Sequence, residues 1–203
     1  GLPSRQAEGP FAFEYNGNYY LTYPYVREDT EVLAYAMSKN PMGPYEYKGL
    51  IMAEHENGCW TNHHSIVNFK GQWYLFYHHN AFSPHFDKNR SAQIEKLYFN
   101  PDGTIQEVKP TLRGVGPIKA SQKVQIDRYS CIDGAAIEYL DTTDYFKGWK
   151  TVFAKAGDKV CFNEVNFGKK APKTAVVCVK ADAGAQLEIA AGKAVVSVEV
   201  PES

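Results

Sequence analysis

The sequence predicts an all-β chain: about two blades of a β-propeller, then part of a jelly-roll β-sandwich. Three observations carry this. Helical periodicity is nearly absent, and short alternating segments are broken by Asn-Gly, Asp-Gly, Lys-Gly and Asn-Pro turns. A hairpin pattern repeats, with Gly17 recurring as Gly71 at an offset of 54 residues. From about Gln122 the texture changes to short apolar segments separated by Gly, Asp and Lys turns.

Each repeat opens with a strand, an X-Gly turn and an aromatic strand. Tyr20, Leu21 and Tyr23 of the first match Tyr74, Leu75 and Tyr77 of the second. A second strand pair follows each hairpin. In the first repeat it spans 32–38 and 44–48, turning at Asn40-Pro41. In the second it spans 91–99 and 104–108, turning at Pro101-Asp102-Gly103. Four strands per unit at a spacing of about 50 residues is the pattern of a propeller blade. Propellers close with about four to eight blades, so this ring is incomplete, and the missing blades belong to polypeptide outside this chain or to another chain. The competing reading is a two-repeat sandwich that stands alone. Residues 111–121, with Gly114, Gly116, Pro117 and Ser121, read as a linker between a first domain, 1–110, and a second, 122–203. In the second, segments 151–153, 159–162, 165–167, 174–179, 186–189 and 194–200 read as strands of the sandwich. A jelly roll has about eight strands, so this one reads as truncated.

The 203 residues carry 22 Lys+Arg against 23 Asp+Glu, a balance that excludes a basic nucleic-acid surface or a polybasic membrane patch as the main function. No apolar run approaches the roughly 20 residues of a membrane span. Aromatic residues make up 14% of the chain, most of them in the first half. They suit sugar stacking, and equally they suit strands. The cysteines Cys59, Cys131, Cys161 and Cys178 form no CxxC pair, which removes a zinc knuckle; they read as buried thiols rather than a disulfide framework. The chain starts Gly1-Leu2-Pro3, as expected of a piece of a longer protein or one whose presequence has been removed.

Four positions could carry chemistry. Glu8, in Glu8-Gly9-Pro10-Phe11, leads a turn into the first strand of the first unit. First strands line a propeller's channel, where surrounding aromatics would raise the carboxyl's pKa towards what a general acid needs. The alternative is a solvated Glu. Asn62-His63-His64-Ser65 occupies the same slot in the second unit. Neighbouring strand residues face opposite ways, so only one of His63 and His64 can face the channel. It could touch a metal alongside waters, hydrogen-bond a carboxylate, or be a core His. Arg90, opening the next-to-last strand of the second unit, could fork onto a carboxylate or sugar hydroxyls, or lie on the surface. Trp60 is a candidate stacking platform. His78-His79 reads as structural or rim.

These residues resemble motifs of glycoside hydrolase family 43. Glu8-Gly9-Pro10 followed by Tyr15-Asn16-Gly17-Asn18-Tyr19-Tyr20-Leu21 looks like the general-acid motif. Asn62-His63-His64-Ser65-Ile66-Val67 is similar to the Gly-His-x-Ser-Val type motif, with Asn in place of the usual Gly. Arg90-Ser91 ahead of Leu97-Tyr98-Phe99-Asn100-Pro101-Asp102-Gly103 is similar to the arginine strand. Residues 122–203 resemble the N-terminal part of a family 6 carbohydrate-binding module, in Gly157-Asp158-Lys159-Val160 and Val165-Asn166-Phe167-Gly168. The resemblance implies a five-bladed propeller and an inverting hydrolase of arabinose- and xylose-containing plant polysaccharides, of the arabinofuranosidase or xylosidase type. It implies Glu8 as general acid and Arg90 near the acid and the substrate; Trp60, from its place beside the His pair, and His63 are read on the substrate side as well. It places His63 at a central-channel metal, often calcium, through water. The family's base and acid-tuning Asp residues precede the acid motif, so this chain is expected to carry the acid without the base. The protein is expected to be secreted or periplasmic. A carbohydrate-binding protein without catalysis is the reading from a different class.

Overall fold

The computed structural model describes residues 8–55, 59–82, 90–169 and 172–203. It is all-β, with a single-turn 3-10 helix at Tyr145–Lys147 and no α-helix among the described residues. Residues 1–166 and 167–203 form two compact units.

The first unit opens with an antiparallel meander of four strands: β1 (Phe11–Tyr15), β2 (Asn18–Val26), β3 (Glu31–Ser38) and β4 (Glu46–Met52). A three-stranded meander follows: β5 (His64–Phe69), β6 (Gln72–His79) and β7 (Ser91–Leu97). These are the two predicted blades. Their hairpins share one turn chemistry. Asn16 and Gly17 sit at φ 50° and 68°, and Lys70 and Gly71 at 52° and 82°, the doubly left-handed turn that matches strand twist. Even the clasp repeats. Gly17 N–H donates to Glu14 Oε1 at 2.8 Å, and Gly71 N–H donates to Asn68 Oδ1 at 3.2 Å.

One apolar core joins the blades. Tyr20, Leu33, Tyr35 and Met37 of the first pack with Ile66, Leu75, Tyr77 and Leu97 of the second. Phe13 stacks on Tyr20 at 4.6 Å between ring centroids, and Trp73 meets Phe13 at 5.3 Å and Tyr15 at 5.2 Å. Part of the aromatic excess is therefore core, while Tyr47, Trp60, Phe69, Phe76 and Tyr98 are exposed.

Two strand boundaries differ from the sequence reading. β4 runs on to Met52, because register shifts at Leu33/Ala34 and Tyr35/Ala36 carry Ile51 and Met52 into the core. The fourth strand expected at 104–108 reduces to a single bridge, Phe99 to Ile105. Gln106 N–H donates to Tyr98 O at 2.9 Å, and the segment also bonds to the first blade. Ile105 N–H donates to Tyr35 Oη at 2.9 Å, and Val108 N–H donates to Ile51 O at 2.7 Å.

Residues 111–121, read as a linker, carry β8 (Ile118–Lys119). Four further short strands follow: β9 (Cys131–Asp133), β10 (Ala136–Tyr139), β11 (Trp149–Val152) and β12 (Lys159–Cys161). The unit ends on β13 (Val165–Asn166), parallel to β8. The cysteine expectation is corrected here. β9 and β12 pair in a register that sets Cys131 opposite Cys161, with Cα atoms 5.1 Å apart, and the two form a disulfide. Closing a loop of 30 residues stabilises the fold by about 3–4 kcal/mol in the chain-entropy account. Cys59 is buried as expected, whereas Cys178 is exposed.

The second unit is a hairpin, β14 (Ala185–Ala191) with β15 (Ala194–Val200). The strand expected at 174–179 is not formed. Val176, Val177 and Val179 are exposed there, and no described backbone pairs with them as a ladder.

Candidate functional site

The two predicted blades bring Glu8 and His63 together. Thr22 Oγ1 on β2 donates to Phe11 O at 2.9 Å, which uses its one proton. It therefore accepts at 2.6 Å from His64 Nε2, fixing that proton on Nε2. His64 is thus a strut between β5 and the first blade. Burial first, and His63 second, push its pKa down to about 4, so it is neutral at pH 7. With His64 turned inward, His63 is the imidazole that meets the carboxylate. Its Nε2 lies 3.3 Å from Glu8 Oε1, close but out of line for a hydrogen bond; this nitrogen is buried and makes no aligned bond.

Gly9 makes the approach possible. It sits at φ +66°, and a Cβ there would meet Cε1, Nδ1 and Nε2 of His63 at 3.1–3.2 Å. The backbone of residue 9 therefore lies on the face of the imidazole. Gly9→Ala is expected to cost about 1–2 kcal/mol from the left-handed backbone alone and to displace the His63 ring. A lowered urea midpoint together with a shifted His63 ring resonance checks this; an unmoved ring refutes it.

Behind His63 stands His78, which the sequence pattern alone reads as structural or rim. His63 N–H donates to His78 Nε2 at 3.2 Å, so His78 is a neutral acceptor with its proton on Nδ1. Desolvation, then the charge of Arg90, then His63 push the His78 pKa down to about 4. Arg90 thus acts at the site through His78. Lys88 and Asn89, which lead into Arg90, lie outside the described residues. The loop before His63 is pinned from below: buried Asn62 donates its N–H to Glu31 Oε2 at 2.7 Å. Trp60, 40% exposed, is on the same loop, and its carbonyl accepts from Glu31 N at 3.4 Å. The Glu8 side chain is 68% exposed, so the described residues do not supply the aromatic enclosure expected around it.

The resemblance implies a channel metal, often calcium, near His63. Calcium takes six to eight oxygens, and no group of three or more His, Cys, Asp or Glu among the described residues could hold a metal. The His63 nitrogen could reach no more than the hydration shell of such an ion, so the described residues do not fit as its cage.

The chain also matches known proteins. The family model for glycosyl hydrolases family 43 matches residues 3–105. The chain is 42% identical over 107 residues to a protein named beta-xylosidase from Xylanibacter ruminicola, covering 53% of this chain and 32% of that protein. It is 26% identical over 224 residues to an arabinoxylan arabinofuranohydrolase from Paenibacillus polymyxa, covering 97% of this chain and 35% of that protein. Among solved structures, one titled glycoside hydrolase matches with a TM-score of 0.50 at 28% identity, covering 75% of this chain and 36% of the other. The chain thus spans about a third of the length of these two relatives.

Proposed function

Because the chain belongs to family 43 of the glycosyl hydrolases, we propose that it contributes the general acid, Glu8, to an inverting glycosidase acting on xylose- and arabinose-containing plant polysaccharide. The observation that carries this is the Glu8 carboxylate held 3.3 Å from the buried nitrogen of His63, beside a glycine whose backbone lies close to the imidazole ring. The relatives named for xylosidase and arabinofuranohydrolase activity support the substrate class.

Inversion needs two carboxyl groups about 6.5–9.5 Å apart, with a water between the base and the sugar. Glu8 protonates the leaving glycosidic oxygen. His63 stands beside its carboxyl, and His78 accepts from the backbone N–H of His63. We place the base on polypeptide outside these 203 residues, which also supplies the remaining blades of the ring. Trp60 and Arg90, both exposed, are the substrate contacts we assign to this chain. The Cys131–Cys161 disulfide supports a secreted or periplasmic protein, since such bonds persist in oxidising compartments. Residues 122–203 are proposed as part of a carbohydrate-binding module.

The test is turnover of aryl α-L-arabinofuranoside and aryl β-xyloside by this chain alone and by the longer polypeptide. Hydrolysis is expected only from the longer one. Sustained turnover by the 203 residues alone would overturn the placement of the base.

A further inference from the structure

We propose a second sugar site on the first unit, remote from Glu8, which takes a neutral oligosaccharide in a concavity beside Tyr98. It rests on the polysaccharide reading above. The concavity holds about 400 Å³, within the range of small-ligand sites. It is bounded by the end of β7, by residues 106–115 and by residues 163–164. Strand β7 separates it from the catalytic pair. Arg90, felt at His78, precedes the strand, whereas Lys96 of the lining stands six residues on, roughly 20 Å away at the rise of an extended chain.

The lining suits hydroxyl groups. Lys96, Lys109 and Arg113 are matched by Glu95, Glu107 and Glu164, so there is no excess charge to attract an ion. Donors and acceptors alternate instead, and a sugar hydroxyl both donates and accepts. The Tyr98 side chain is 49% exposed and presents a ring on which a pyranose face can stack. The wall is held in place before any ligand arrives. Lys96 Nζ donates to Glu164 Oε1 at 2.8 Å, and Thr111 N–H donates to Glu95 Oε1 at 2.8 Å. The Arg113 side chain is only 6% exposed and donates to the carbonyls of Gly114 and Gly116. Its Nε–H is buried and has no acceptor among the described residues.

Titration of the 203-residue chain with xylotetraose, followed by amide NMR, tests this. Saturable shifts are expected around Tyr98, Arg113 and Glu164. Tyr98→Ala is expected to weaken binding at least about tenfold, while Tyr98→Phe, which keeps the ring, stays within about twofold. Lys109→Ala, at an exposed position outside any strand, is expected to weaken binding severalfold and serves where Tyr98→Ala folds poorly. Glu8→Gln is expected to leave this binding unchanged. No saturable shifts at these residues, indifference to Tyr98→Ala, or tighter binding of an acidic xylo-oligosaccharide each overturns the proposal. Because the readout is binding, its failure with hydrolysis intact in the longer polypeptide removes only this site. Loss of the hydrolase reading with xylotetraose still held at Tyr98 is the converse result.

Discussion

Glu8→Gln in the longer polypeptide is expected to lower kcat on unactivated xylosides and arabinosides by about 10² to 10⁴, the usual yield of a positioned general acid. Gln keeps the shape of the side chain and removes the transferable proton, so KM should move little. The leaving group separates this from structural damage. A dinitrophenolate departs without protonation, so dinitrophenyl glycosides should lose far less rate than nitrophenyl or natural substrates. The alkaline limb of the kcat/KM profile should also vanish, because it reports deprotonation of the acid. Equal losses on all substrates, or an unchanged alkaline limb, would move the acid to another residue. The case for Glu8 is geometric: the chain places a carboxylate against a buried imidazole nitrogen and clears the space between them with a glycine at φ +66°.

Much of this is legible in the amino-acid sequence. The offset of 54 residues aligns two hairpins, and both use the same left-handed pair of turn residues. A two-residue turn fixes register, so Lys70-Gly71 implies that His64 faces Tyr77 and that His63 comes across from His78. The signal that brings His78 to the site therefore lies in the turn, and not in the His78-His79 pair itself, which by its position at a strand end reads as rim. Gly9 carries a weaker signal: a glycine directly after the candidate acid tells of an unusual backbone but not of an imidazole on top of it. Other features have no local signal. The Cys131–Cys161 pairing follows from the ladder of β9 on β12, strands that the apolar pattern does not mark as partners. The fate of residues 104–108 is a tertiary competition: the Gln106 amide bonds Tyr98 just past β7, while those of Ile105 and Val108 find Tyr35 and Ile51 of the first blade. The choice between His63 and His64 is open by alternation alone, and the Thr22 hydroxyl decides it.

Acid is expected to destabilise the first unit before most of its carboxylates titrate. His55, His64 and His79 carry pKa values pushed down to about 4, 4 and 3, in each case by burial first, with neighbouring imidazoles adding to it. His55 and His79 lie 5.0 Å apart between ring centroids, so each discourages protonation of the other. In the unfolded chain these rings titrate near 6.5. Between about pH 6.5 and 4 the unfolded state therefore binds protons that the folded state refuses, and stability falls as pH falls. From pH 7 to pH 5 each ring costs about 2 kcal/mol, and the three together on the order of 5 kcal/mol, against a typical total of 5–15 kcal/mol. Glu95 works in the opposite direction. Burial raises its pKa, so the folded state takes up that proton sooner and recovers part of the loss at the acid end. Urea unfolding followed at pH 7 and pH 5 should show the midpoint dropping sharply, and His79→Gln should flatten the dependence, because a neutral amide has no proton to refuse. Equal midpoints at the two pH values would mean that these rings reach water in solution. The inter-blade core, which shares Tyr77 with His55 at 6.1 Å and with His79 at 5.9 Å, would then be packed less tightly than the ring geometry requires.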